Sequence, residues 1–122
     1  MTPDDFVQLV ERIVPEVQRK PVLDTVQFRV GAKAFATLGW PSEGWAAVKL
    51  SAADQRQALA GSDAFIRDPG RRRNSGVTLV RLKAADPDIL ADVIGTAWRQ
   101  AYLGSGRKTL SGPAKGADLR AG

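Results

Sequence analysis

The sequence predicts a single-domain α+β fold, in which helices pack on antiparallel strands. Stripes of apolar residues at helical spacing occur near residues 6–14 and 89–101, whereas several segments between them alternate apolar and polar residues, as strands do. The links between the alternating segments are short, and short links favour antiparallel neighbours. A chain of 122 residues is long enough for one hydrophobic core. The predicted element order is α-β(3)-α-β(2)-α.

The first predicted helix begins at Thr2 and Pro3. Threonine is a favourable N-cap residue, and proline suits the first helical position because its missing N–H needs no partner there. Apolar residues then recur at helical spacing from Phe6 to Val14, and Pro15 should end the helix. Residues 19–21 predict a polar connection to the next element.

Three strands are predicted next, over residues 26–30, 33–38 and 45–50. The link at residues 31–32 has glycine first and suits a tight hairpin. Proline and glycine in residues 40–44 indicate a second turn. These short links predict an antiparallel meander of the three strands.

A short helix is predicted over residues 51–60, because a serine cap is followed three residues later by an acid and Gly61 follows its end. Residues 65–66 and 77–82 predict a second strand pair. Asp86 and Pro87 should open the last helix, and Gly104 should end it. The expected buried stripe of that helix comprises Ile89, Leu90, Val93, Ile94, Ala97, Trp98 and Ala101.

Positive charge is concentrated in one loop between the last two predicted strands. Residues 67–83 contain six basic residues and one acidic residue, a balance of +5 that equals the net charge of the whole chain. The centre of this segment is the triplet Arg71, Arg72 and Arg73. Clustered positive charge on a turn is suited to a phosphate backbone. The alternative, also open at this point, is a solvated loop that keeps an exposed hairpin from aggregating.

The composition excludes several classes of chemistry. The chain contains no cysteine and no histidine, so disulfides, thiolate catalysis and histidine-based triads are excluded. Asp86, Asp88 and Asp92 suit a helix N-terminus and are not joined by further carboxylates in a cation cage. We expect no catalytic residues, no metal site, no cofactor and a monomer. No apolar run approaches the length of a membrane span, and an acidic N-terminus unlike a signal peptide favours a cytoplasmic location.

Several short motifs resemble the MmcQ/YjbR family. They are the segment 28–36 with Lys33, the segment 47–50 with Lys49, the hairpin around the arginine loop, and the final helix of residues 89–102. The resemblance covers roughly residues 2–103. It implies an α-β(3)-α-β(2)-α double-wing fold and DNA binding. Family members often carry a tryptophan at the start of the fifth strand, where this chain has Ser75-Gly76-Val77.

We therefore expect a non-catalytic protein that binds nucleic acid, DNA in particular, through backbone contacts of low sequence specificity. The expected contact residues are Arg67, Arg71, Arg72, Arg73, Arg81, Lys83, Lys33 and Lys49. Weaker attraction would come from Arg107, Lys108 and Lys115. The alternative is a protein-interaction domain that meets an acidic partner or pairs a strand edge with it. A continuous basic surface would favour the first hypothesis, and an exposed apolar patch or an open strand edge would favour the second.

The three tryptophans carry different expectations. Trp40 and Trp45 flank one turn, where they could stack on bases or pack across the hairpin. Packing is the interpretation we favour for both. Trp98 continues the apolar stripe of the last helix and is expected to belong to the core.

The chain is predicted to divide into a folded domain at residues 1–103 and a basic tail at residues 104–122. The tail contains five glycines and few large apolar residues, which is too little apolar surface to offset the ordering of the chain. Truncation after Gly104 should therefore change the free energy of unfolding by only about 0.5 kcal/mol, measured by thermal denaturation. A loss several times larger would show that Leu110 or Leu119 docks on the domain.

Overall fold

A computed structural model describes residues 1–70 and 75–104, so the arginine triplet and most of the predicted tail lie outside the described residues. Within these described residues, three α-helices and six strands are formed. In chain order they are α1 (Pro3–Ile13), β1 (Gln18–Val22), β2 (Thr25–Val30), β3 (Lys33–Leu38), β4 (Trp45–Lys49), α2 (Ala52–Gly61), β5 (Phe65–Arg67), β6 (Val77–Arg81) and α3 (Pro87–Gly104). A short 3₁₀ helix, Leu82–Ala84, joins β6 to α3. The predicted α+β class is confirmed.

The six strands form one sheet with the order β1-β2-β3-β4-β6-β5, and every neighbouring pair is antiparallel. The helices contact one face of this sheet. The core takes Phe28, Val48 and Val80 from the strands, which the register places on the same face, and joins them to residues of all three helices. Because side chains alternate along a strand, the intervening residues point to the other face, over which no described helix lies.

The centre of the core lies between α1, α3 and β2. Phe6 and Phe28 are fully buried and meet edge to face, with ring centroids 5.9 Å apart. Leu90 and Ile94 of α3 are also fully buried. Such aromatic pairs add specific geometry to a large burial of apolar area, so this contact fixes α1 against the sheet.

The sequence prediction missed β1 and assigned its residues to a polar connection. That assignment is wrong, because Gln18–Val22 pairs with β2 over its whole length. All five of its side chains are exposed, so no apolar alternation identifies the strand in the sequence. Arg19 also forms a 3.2 Å ion pair with Glu11 of α1, which connects the edge strand to the helical layer.

The N-terminus of α1 has the capping geometry that its sequence predicts. The Thr2 hydroxyl accepts a hydrogen bond from the backbone N–H of Asp5 at 3.1 Å, and the Asp5 carboxylate accepts one from the backbone N–H of Thr2 at 2.9 Å. The backbone hydrogen bond from Thr2 lowers the pKa of Asp5 from its usual value, since it favours the charged form. These contacts satisfy N–H groups that a helix start leaves without partners.

A polar junction joins α2 to the start of β6. The buried Gln55 side chain donates to the Thr78 hydroxyl at 3.0 Å and to the Val77 carbonyl at 3.2 Å. Thr78 in turn donates to the Gly76 carbonyl at 3.2 Å, and the same carbonyl accepts a hydrogen bond from the backbone N–H of Leu50 at 2.9 Å. The junction therefore holds Gly76, which follows the arginine loop in the chain, against the end of β4.

Gly76 is the residue of this junction that tolerates substitution least. Its φ is +76°, and a Cβ there would clash with the backbone carbonyl oxygen of Leu50. Gly44 has a similar φ of +87° with no atom within 4 Å of its Cβ position.

Gly76→Ala should therefore destabilise the protein by at least about 2 kcal/mol, since backbone strain and a clash with a main-chain atom add together. Gly44→Ala should cost only the strain, about 1 kcal/mol. Chemical denaturation of both variants checks this difference. Equal losses of unfolding free energy in the two variants would show that the close approach of Gly76 to Leu50 adds no cost to the substitution.

Candidate functional site

The face of the sheet that no described helix covers is the candidate site, and we call it the uncovered face. Cross-strand register defines this face. One row of residues runs across five neighbouring strands, each residue opposite the next, and it consists of Gln27, Thr37, Ala47, Leu79 and Ile66. The strand residues of this face are Gln18, Lys20, Val22, Thr25, Gln27, Arg29, Thr37, Trp45, Ala47, Lys49, Ile66, Val77, Leu79 and Arg81.

The charged strand residues of the uncovered face all have the same sign. Lys20, Arg29, Lys49 and Arg81 belong to it, and none of its strand residues in residues 1–70 and 75–104 is acidic. The acids of these residues lie in the helices and in the connections between elements. Alternation along the strands thus separates charge between the two sides of the sheet, because the helices that cover the other side carry many of the carboxylates.

The residues predicted to bind lie at two ends of the sheet. Lys33, Lys49 and Arg67 lie where β3 begins and where β4 and β5 end, which is one end of the sheet by register. Arg81 lies at the opposite end, since it opposes Trp45, and Lys83 follows it in the 3₁₀ helix. All five side chains are exposed.

Arg71, Arg72 and Arg73 lie outside the described residues, but the residues flanking them are placed. The backbone N–H of Asp68 donates to the Val77 carbonyl at 3.2 Å, and the Gly76 carbonyl accepts a hydrogen bond from the backbone N–H of Leu50 at 2.9 Å. Both ends of the arginine loop are therefore anchored at the Lys49 end of the sheet.

Lys33 and Lys49 line one depression of about 230 Å³, between the strand ends and the last turns of α3. Phe35, Ala97 and Gln100 also line it. The Lys33 ammonium lies against Gly104, at a distance of 3.2 Å from the position that a Cβ would take there. A cation at this position also stabilises the negative end of the helix dipole, so Lys33 has a structural role as well.

Arg81 and Trp45 form a pair on the uncovered face. The guanidinium carbon lies 5.1 Å from the ring centroid, within the range of a cation–π interaction. The pair holds the charge of Arg81 over the sheet and covers one face of the Trp45 ring.

Sequence reasoning missed Lys20 and Arg29 as members of this surface. Lys20 belongs to the strand that was not predicted. Arg29 is positioned by two 2.7 Å hydrogen bonds, from its guanidinium to the Gln27 side-chain oxygen and to the Ala32 carbonyl. The sequence does carry a signal for Arg29, because this residue occupies a polar position of an alternating strand.

A groove of about 430 Å³ runs along the uncovered face beside β3 and ends at Leu23 and Trp40. Leu23 is in the turn between β1 and β2, has a φ of 57° and is 98% exposed. Trp40 is in the turn between β3 and β4 and is 42% exposed. At its other end the groove is lined by Lys49 and Val77.

Trp98, which was expected in the core, is partly buried and packs against it. Its ring lies 5.4 Å from that of Tyr102. The residue therefore supports the helical layer and takes no part in the uncovered face.

Within residues 1–70 and 75–104, no group of three or more acidic, histidine or cysteine side chains is arranged to hold a metal ion. None of the helices in this part of the chain combines the length and the apolar character that crossing a membrane requires.

Comparison with known proteins adds no assignment: no model of a protein family matches the chain, and no curated protein is similar to it. The resemblance to the MmcQ/YjbR family stays a prediction from short motifs.

Proposed function

We propose that this protein binds nucleic acid through the uncovered face of its sheet. The observation that carries the proposal is the charge of that face: Lys20, Arg29, Lys49 and Arg81 belong to it, and its strand residues in the described part of the chain include no acid. A surface of one sign attracts a polyanion, and release of counterions from a phosphate backbone supplies most of such binding. The relation to the MmcQ/YjbR family, which implies DNA binding, is part of the same proposal.

The spacing of the cations suits an extended polyanion better than a single anion. Lys49 and Arg81 are four residues apart on opposing strands, about 13 Å along the strand direction. Lys20 lies three strands from Ala47, about 14 Å across the sheet. A small anion would contact one of these side chains at a time, whereas a chain of phosphates can contact several.

The sheet edges are poor sites for pairing with a partner strand. The β1 edge carries Arg19, Lys20 and Pro21, and proline offers no N–H to a new strand. The β5 edge has only three residues, Phe65–Arg67. Strand addition by a protein partner is therefore the weaker alternative.

A second candidate function is docking of a protein on the exposed apolar end of the groove. Leu23 and Trp40 favour it, because both are exposed at the same end of the groove and aromatic side chains are enriched in protein interfaces. The charge of the rest of the face requires that such a partner be acidic.

Neutralising the uncovered face should weaken the binding of DNA and RNA by a similar factor for different nucleotide sequences. In the variant Lys20→Gln, Lys49→Gln, Arg81→Gln, the slope of log binding constant against log salt concentration should become less steep by roughly 2 to 3. Each lost contact should contribute about 0.7 for a single strand and about 0.9 for a duplex. Fluorescence anisotropy with labelled oligonucleotides at two or more salt concentrations measures this slope.

The matched control is Arg12→Gln, Arg56→Gln, Arg99→Gln. It removes the same net charge from exposed residues of the three helices, so it should retain the salt dependence of the unaltered protein. If both triple variants weaken binding equally, only net charge matters and the uncovered face is not the site. Absence of any binding at about 50 mM salt, where phosphate contacts are strong, would overturn the proposal in favour of a protein partner.

The arginine triplet is expected to add to this surface, since both ends of its loop are anchored beside Lys49. Arg71→Ala, Arg72→Ala, Arg73→Ala should leave thermal stability nearly unchanged, because exposed charges contribute little to it. The same titration should show weaker binding and a slope flatter by roughly 2 to 3. A triple variant that binds as tightly as the parent, with the same slope, would confine the site to the sheet.

A further inference from the structure

We infer that the uncovered face takes single-stranded nucleic acid in preference to a duplex, with one unpaired base stacked on Trp40. This inference rests on the proposed function and adds the form of nucleic acid and the residue that selects it. It depends on three observations: the exposure of the Trp40 ring, the groove that leads to it, and the distribution of charge along that groove.

Trp40 is the tryptophan whose ring is most available to a ligand. It is 42% exposed, whereas Trp45 and Trp98 are less exposed. Arg81 covers one face of Trp45, and Trp98 packs against the core and beside Tyr102. A planar exposed indole is a stacking platform for any base, because every base has a π face.

The turn that carries Trp40 is held at both ends. The backbone N–H of Gly39 donates to the Trp45 carbonyl at 2.8 Å, and that of Trp45 donates to the Ser42 carbonyl at 3.2 Å. The backbone of a turn fixed in this way loses little conformational freedom when a base stacks on the ring that it carries. Leu23, from the neighbouring turn, lines the groove beside Trp40 and offers an apolar edge to the same base.

The groove is suited to a strand whose bases are free. It has a volume of about 430 Å³ and is lined by Thr25, Gln27 and Thr37 between Trp40 and Lys49. Hydroxyl and amide groups can bond to the edge of an unpaired base. In a duplex the ring faces are stacked inside the helix and cannot reach Trp40, so only an unpaired strand can use this contact.

Charge indicates which end of the groove takes phosphate. Asp24 and Glu43 line the cavity next to Trp40 on its far side, so phosphates are disfavoured there. Lys49 lies at the other end of the groove. A bound strand would therefore place a base on Trp40 and extend its backbone toward Lys49 and the end of the sheet that carries Lys33.

The experiment compares a thymidine oligonucleotide of about 12 nucleotides, a length typical of small single-strand sites, with a duplex of the same length at about 50 mM salt. The full chain should bind the single strand more tightly. Trp40→Ala should weaken single-strand binding roughly 5- to 150-fold, the range for loss of one stacked base, and change duplex binding little. Trp40→Phe, which keeps an aromatic ring, should retain most of the affinity.

Two further measurements separate stacking from a structural effect. Binding of the single strand should quench tryptophan fluorescence in the parent, and most of this quenching should be absent in Trp40→Phe. Ile89→Ala is the matched control, since Ile89 is an apolar residue of α3 that is 36% exposed, and it lies neither on the uncovered face nor along the groove. It should bind as the parent does. The quenching and the phenylalanine variant test the inference even if Trp40→Ala fails to fold.

The outcomes distinguish this inference from the proposed function. The inference is wrong if the variant Lys20→Gln, Lys49→Gln, Arg81→Gln loses binding but Trp40→Ala keeps it. It is also wrong if the duplex binds as tightly as the single strand. In either case the face binds nucleic acid without stacking. If neither oligonucleotide binds and an acidic polypeptide such as polyglutamate does, both proposals fail. Retained quenching in Trp40→Phe would also overturn the inference, because the base would then contact another tryptophan.

Discussion

Phe6 of α1 and Phe28 of β2, both inaccessible to solvent, meet at 5.9 Å where the helical layer packs on the sheet. Most of the architecture depends on this packing of helices against one side of the strands. Phe28 of β2, Val48 of β4 and Val80 of β6 alternate onto that side, and α1 and α3 supply residues that pack over them. Burial of this apolar area is the main favourable term in the folding of such a domain.

The same packing leaves the opposite side of the sheet with no described helix over it. A strand that buries alternate residues presents the remaining ones on its other face, and here those include Lys20, Arg29, Lys49 and Arg81. The candidate site is thus a consequence of the fold: all six described strands contribute to it, and few of its residues are neighbours in the sequence. The ends of the arginine loop join this surface because the junction of Gln55, Thr78 and Gly76 holds them beside the end of β4.

Tertiary contacts give Trp40 and Trp45 different surroundings, although the two residues look alike in the sequence. Both flank one turn, and in the sequence they have the same two interpretations. Arg81 approaches Trp45 from the opposing strand β6 and occupies one face of its ring. Trp40 stays exposed at the end of the groove. A pairing across 36 positions of the chain decides which ring is open to a ligand.

The sequence by itself determined the local elements: the capped start of α1 at Thr2, the apolar stripe of α3, and five of the six strands through their alternation and glycine-containing turns. These follow from interactions over a few residues, which a sequence pattern records directly. It could not reveal β1, whose exposed side chains carry no apolar period and whose strand form depends on pairing with β2. Only the tertiary structure decided that the helices share one face, that Lys33 and Lys49 line one depression while Arg81 lies at the other end, and that Lys20 and Arg29 belong to the same surface. The physical reason is that strand order, register and the choice of covered face depend on contacts between residues distant in the chain.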